Sequence, residues 1–234
     1  MKYMTAKHRW VPGALSLFKR AAQHRESYIV RVRGKDIPVL PDVFSPKYFP
    51  DAVWFAKELP AIVGRRSFLE IGTGTGLIAL FVALNGAQRV VTTDINPAAI
   101  ENARQTFAEH GVKIAVRCGD VYKTIDADEK VDVIFWNHPF HYSLEKPPNL
   151  LLRAGFDYKY RDLQTFFAGA AKHLNPGGEI LLGTGNMARI NEIKRIAYAN
   201  GYRWTLLKKE AIPAQEGSSA ERDNRIYSFK SRAV

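Results

Sequence analysis

Three glycines at alternate positions, Gly72, Gly74 and Gly76, follow an acid, Glu70, and the short apolar run Ser67-Phe68-Leu69. Glycine lets the chain turn into left-handed conformations and brings backbone N–H groups within contact distance of a ligand. The run Glu70-Ile71-Gly72-Thr73-Gly74-Thr75-Gly76 is therefore a candidate nucleotide-cofactor loop. A dinucleotide fingerprint places two residues between its second and third glycines, whereas one residue separates each pair here. Downstream, the β-branched run Arg89 to Thr93 ends in Asp94, 18 residues past Gly76, and Ile95 follows it. An acid at the tip of a second strand can accept hydrogen bonds from ribose hydroxyls, or it can cap the next helix, a task to which Asn96 before Pro97 is better suited. Cys118-Gly119-Asp120-Val121 follows a third apolar run, where Asp120 on its own reads as a turn residue.

A fourth stretch suggests the reaction. Val131 to Trp136 reads as a buried strand and ends in Asn137-His138-Pro139-Phe140. The glycine loop resembles motif I of the class I S-adenosylmethionine (SAM) methyltransferases. The tetrad is similar to the Asn-Pro-Pro-Tyr/Phe motif of their amino-methyltransferase branch, which includes the release-factor glutamine and the adenine and guanine N-methyltransferases. His138 stands in place of the first proline. The resemblance covers about residues 42–232. It implies a cofactor, SAM, held by Glu70, Gly72, Thr73, Gly74 and Gly76, with Asp94 and Ile95 at the ribose and Asp120 and Val121 at the adenine. It implies that Asn137 and the backbone carbonyl of residue 138 each accept one N–H of a planar acceptor nitrogen, with Pro139 and Phe140 shaping the slot. The chemistry explains the residue types. A planar amino or amide nitrogen is a poor nucleophile because its lone pair is delocalised, and acceptors that orient it toward the methyl group relieve that without a strong base. Loss of the proline that fixes φ loosens the loop at His138 or frees it for another task, such as a proton shuttle by His138 or His141.

The elements that must position these residues alternate between strand and helix, as a parallel sheet requires. The expected fold is α/β: a Rossmann-like, doubly wound, seven-stranded class I methyltransferase sheet with an antiparallel last strand, and a short N-terminal accessory segment. Helices are expected over 12–24, 50–62, 77–85, 98–110, 163–174 and 187–200, and a hairpin over 28–39 turning at Gly34-Lys35. Residues 141–160 read as an irregular, aromatic substrate-side loop in which Tyr142, Phe156, Tyr158 and Tyr160 stack on a base or pack into the core. Residues 179–182 read as the fifth strand. Residues 202–211 and 225–230 form the closing antiparallel pair, joined by a polar loop over 213–224. Two parts follow: a basic accessory segment, 1–41, and a methyltransferase domain, 42–234.

Composition narrows the partners. The formal net charge is +11, and it is unevenly spread. Residues 1–60 hold 11 Lys/Arg against 5 Asp/Glu, residues 61–185 hold 13 against 13, and residues 186–234 hold 10 against 5. Basic flanks around a neutral middle suggest an acidic partner, RNA or DNA first, with an acidic protein face or phosphorylated small molecule behind, set against a merely solvated basic surface. The single cysteine, Cys118, excludes an intramolecular disulfide and suits a reducing cytoplasm, and no Cys or His spacing suggests a metal. No apolar run approaches the ~20 residues of a membrane span. The expected function is SAM-dependent N-methylation of a base in RNA or DNA or of a protein glutamine. A small-molecule methyltransferase, an NAD-dependent oxidoreductase and a non-catalytic nucleic-acid-binding protein are the alternatives.

Overall fold

The computed structural model describes residues 10–212 and 222–232. In chain order the elements are α1 (Val11–Ala21), β1 (Tyr28–Val32), β2 (Lys35–Val39), α2 (Asp51–Val63), β3 (Phe68–Ile71), α3 (Leu77–Leu84), β4 (Val90–Asp94), α4 (Pro97–Glu109) and β5 (Ala115–Cys118). They continue with β6 (Val131–Asn137), β7 (His141–Ser143), α5 (Leu150–Arg153), β8 (Phe156–Tyr158), α6 (Arg161–Ala170), β9 (Leu174–Gly185), α7 (Ile190–Ala199), β10 (Tyr202–Ile212) and β11 (Arg222–Ser231).

Seven strands form one sheet in the order β10-β11-β9-β6-β3-β4-β5. Strand β11 runs antiparallel to both of its neighbours, whereas β4, β3, β6 and β9 are parallel. This is the doubly wound sheet with an antiparallel last strand that the sequence predicts. The inner strands are apolar throughout because helices cover both faces. All four residues of β3 are buried, and Val133, Ile134 and Phe135 of β6 are inaccessible. Helix α3 is apolar all round, Leu77 to Leu84, and is buried at Leu77 to Leu80 and at Val82, with Leu84 exposed at its end. Asn96 caps α4 by accepting Ala98 N–H at 3.1 Å, with Pro97 in the first turn.

Several boundaries move. The hairpin turns one residue earlier than expected, at Arg33 and Gly34, both with positive φ (49° and 79°), as a two-residue turn matched to strand twist requires. Its strands join the main core through Val32 and Ile37. The buried amide of Asn102 in α4 then bonds Pro38 O and Leu40 N–H, both at 2.8 Å. Residues 141–160 are not irregular: β7 and β8 pair in parallel around α5, a small βαβ unit. Strand β9 is longer than the expected 179–182 because it pairs on both sides, with β6 and β11. The expected loop over 213–224 lies outside the described residues as far as residue 221; Asp223 and Asn224 belong to β11. Among the described residues no helix is long and apolar enough to cross a membrane.

Helix α1 belongs to a second apolar cluster with Tyr48, Phe49, Leu151 and Phe156. Its Phe18 is 3% exposed and meets Phe49 at 4.6 Å between ring centroids and Phe156 at 5.9 Å. A Cβ on Gly155 would lie 2.4 Å from that ring, so the notch exists only because residue 155 is glycine. Phe18→Ala is expected to lower the unfolding free energy by about 3 kcal/mol, measured by urea denaturation. A change near zero would mean that α1 is not docked there.

Candidate active site

Strand β3 ends at Ile71, directly opposite Trp136 of β6, so the glycine loop and Asn137 leave neighbouring strands side by side. Gly72, Gly74 and Gly76 all take positive φ (68°, 55° and 79°). At Gly72 an added Cβ would lie 3.0 Å from Trp136 Nε1. At Gly76 it would lie 2.8 Å from the Phe107 ring, against α4. The first glycine thus gives room at the strand end, and the last lets α4 close on the loop.

Two carboxylates brace this loop. Glu70 is buried and accepts the Thr73 hydroxyl at 2.8 Å. Burial pushes its pKa up to about 8, against the hydrogen bond from Thr73. Asp94 splits its oxygens, one accepting Gly74 N–H at 2.9 Å and the other Asn96 N–H at 2.8 Å. Burial raises its pKa in spite of those bonds. Asp94 and Asn96 therefore divide the work: Asp94 ties loop to loop, and Asn96 caps the helix.

A cavity of about 120 Å³ opens at this strand end. Glu70, Gly72, Thr73, Gly74, Asp94, Ile95, Asp120, Val121, Asn137 and Pro139 all line it. Gly76, His138 and Phe140 do not. Gly76 packs behind the loop. The His138 ring is 2% exposed and bonds Thr184 Oγ1 at 3.0 Å; burial drives its pKa down to about 3, so it is neutral near pH 7. That placement does not suit a proton shuttle. Phe140 is buried with its ring 5.5 Å from that of His138, and its carbonyl accepts the Tyr160 hydroxyl at 2.9 Å. Val121 holds a positive φ of 52°, an uncommon conformation for a β-branched residue, at the cavity wall.

Asn137 Nδ2 donates to Asp51 Oδ2 at 3.0 Å, and Asn137 Oδ1 is buried with no hydrogen-bond partner. Leaving a buried acceptor unpaired costs roughly 1–3 kcal/mol, which an N–H from a ligand would offset.

Other cavity residues carry little sequence signal. Arg153 of α5 donates to Asp120 Oδ1 and to Asp162 Oδ2, both at 2.8 Å, linking the wall at Asp120 to the start of α6. Asp42 and Phe44, from the segment before α2, close another side. Arg153 sits in the stretch read as a loop, where no motif marks it. Of the four aromatics there, Phe156 and Tyr160 are core; Tyr142 and Tyr158 are partly exposed, with Arg189 3.8 Å over Tyr142 and Arg161 5.0 Å over Tyr158.

The profile of the Methyltransferase small domain family matches residues 36–197, well over half of the chain. The chain belongs to that family. A Methanocaldococcus jannaschii protein provisionally named a protein N5-glutamine methyltransferase is 28% identical over 197 residues, 80% of this chain and 95% of that protein. Ribosomal RNA small subunit methyltransferase C of Haemophilus influenzae is 31% identical over 136 residues, 58% of this chain but only 37% of that protein. Among solved structures, the T. thermophilus 16S rRNA N2 G1207 methyltransferase in complex with AdoMet and guanosine superposes with a TM-score of 0.60. It is 21% identical, over 88% of this chain and 50% of that one. The M. jannaschii tRNA m1G37 methyltransferase gives 0.60 at 17% identity, over 91% and 59%. These superpositions share the class I methyltransferase fold. The chain spans about a third to three-fifths of most of these relatives.

The cofactor of this methyltransferase is SAM, which rules out the oxidoreductase alternative. The site fits it: the positive-φ glycines leave the strand end clear of side chains, a Cβ at Gly72 would press on Trp136, and the acids Asp94 and Asp120 are among those that line the wall. Asp94→Ala removes the brace of the Gly74 loop and a candidate ribose acceptor together. Hydrogen bonds to a charged group contribute about 1.5–3 kcal/mol, so SAM affinity is expected to fall roughly 10- to 100-fold by calorimetric titration. Unchanged affinity would remove Asp94 from the cofactor site.

Proposed function

We propose that this methyltransferase acts on a planar amino or amide nitrogen, and that the acceptor is a base in RNA. The observation that carries the first part is the Asn137 amide. Its nitrogen is committed to Asp51, and its buried oxygen has no partner, which leaves one hydrogen-bond acceptor free for a substrate N–H. The backbone carbonyl of His138 supplies the second acceptor. Bound SAM supplies an electrophilic methyl group on a sulfonium. With SAM in place, Asn137 and the His138 carbonyl would turn the acceptor's lone pair toward its methyl group, the sulfonium sulfur would be the leaving group, and the surplus N–H proton would pass to water. Orientation supplies most of the rate, so no general base is assigned. Pro139 and Trp136 line the slot in this reading. Phe140, whose ring packs on His138, shapes it from behind.

For the acceptor, three observations favour RNA: the excess positive charge on the two flanks, the Tyr158 ring with Lys159 and Arg161 beside it, and the relatives named as rRNA and tRNA methyltransferases. A base in a looped or single strand needs no extrusion from a duplex and is the easier target. Protein glutamine is the second reading, favoured by the relative that this chain covers almost end to end. We assign residues 42–234 to catalysis and 1–41 to an accessory role on the substrate side, since α1 packs against α5 and β8. The proposed place of action is the cytoplasm.

Incubation with radiolabelled SAM and a cell extract split into RNA, protein and small-molecule fractions tests the acceptor. Label in RNA supports the proposal, label in protein gives the second reading, and label in small molecules overturns both. Asn137→Ala is expected to lower kcat about 100-fold or more while calorimetry shows SAM binding near wild type. Unimpaired turnover would remove Asn137 from the mechanism.

A further inference from the structure

Asp51 opens α2 and reaches across to the end of β6, where it accepts Asn137 Nδ2–H. The two ends of an amide have nearly the same shape and opposite polarity, so an amide with no biasing neighbour can present either. An ionised carboxylate only accepts. Beside it the Asn137 amide has one arrangement, nitrogen on Asp51 and oxygen on the far side, and that oxygen is the buried atom left without a partner. We infer that Asp51 is a positioning residue for methyl transfer, holding the Asn137 amide so that its carbonyl oxygen, rather than its NH2 group, meets the acceptor nitrogen. This inference rests on the role proposed for Asn137.

The surroundings of Asp51 distinguish this role from a structural one. The groups acting on the carboxylate are the Asn137 amide, the backbone N–H groups at the start of α2, and the positive charge of Arg222 at the start of β11. All of these favour the ionised form, yet burial outweighs them and raises the pKa from 3.8 to about 6. A raised carboxylate pKa adds stability below pH 3.8 and loses it as pH rises through about 6. At neutral pH the charged Asp51 therefore costs the fold stability, the opposite of what a residue kept for stability does. Below about pH 6 the protonated acid donates as well as accepts, and the amide is free to turn.

The test compares wild type, Asp51→Asn and Asp51→Glu for SAM affinity, for kcat on the fraction that wild type labels, across pH 5 to 8.5, and for melting temperature. An amide at 51 pairs with Asn137 in either orientation. Asp51→Asn is therefore expected to bind SAM as wild type does, to melt at pH 8 no lower than wild type, and to lose roughly 10- to 100-fold in kcat. The wild-type profile should fall on the acid side of about pH 6, the Asn variant should lack that limb, and Asp51→Glu should recover part of the rate. Normal turnover of Asp51→Asn overturns this inference alone. Loss of turnover together with lower melting and lost SAM affinity assigns Asp51 a structural role and also overturns it. A wild type that binds SAM and methylates no fraction overturns the proposed function and this inference with it.

Discussion

The side-by-side pairing of β3 and β6 is the constraint on which the rest of the site depends. Ile71 lies opposite Trp136, so the next residue on each strand, Gly72 and Asn137, begins a loop at the same height. From β3 the chain crosses toward β4 and β5, whereas β6 continues the sheet the other way toward β9. The two loops diverge from neighbouring strands and leave a crevice between them, the usual ligand position in a doubly wound sheet. The glycine loop ends at Gly76 and the tetrad begins at Asn137, far apart in sequence, and they adjoin here because of backbone register. A slip of one residue in β6 would send the Trp136 and Asn137 side chains each to the face it does not now occupy.

Elements outside the sheet close the crevice. The Asn102 amide fastens the β1–β2 hairpin to α4, and the following segment carries Asp42 and Phe44 to the cavity wall. On the opposite side, α5 contributes Leu150, Leu151 and Arg153, and Leu151 also sits in the cluster that holds α1. The small βαβ unit is held from beneath by Asp157, which accepts the N–H groups of Asp162 and Leu163 at the start of α6. Helix α1 therefore reaches the site through α5 and β8. The Gly155 notch gives that contact a single fit.

Strand and helix order and the three glycines were legible because each rests on local information: β-branched runs, glycine spacing and cap residues. The places expected for Asn137 and for the antiparallel last strand came from the resemblance to class I methyltransferases. What was not legible depends on distant contacts. Residues 141–160 lack alternation over enough residues to signal strands, and β7 and β8 are three residues each, made by pairing with one another. Asp51 carries a helix-start signal, and that is what the sequence suggests for it; its partner lies 86 residues away. Gly76 and Phe140 fall within motifs yet face away from the cavity, since consecutive residues of a loop or strand end cannot all point one way. The His138 side chain turns to Thr184 on β9, a contact that no local pattern announces.

Buried and half-buried acids make a further pattern around this crevice. Glu70, Asp51 and Asp157 are pushed up to about 8, 6 and 7, with burial the largest cause in each. Each raised pKa means that ionisation opposes folding, with the loss setting in between the unfolded value and the folded one. A chain selected for stability alone would place amides or apolar groups at such positions. Two of the three bear on the site directly, Glu70 under the glycine loop and Asp51 on the Asn137 amide, and the third fixes the helix start that carries Asp162 to the cavity wall. Perturbed carboxylates cluster at functional sites more than elsewhere, and these three surround the crevice at the strand ends. The wide apolar sheet beneath, with β3 and β6 buried on both faces, is what lets the fold carry that cost.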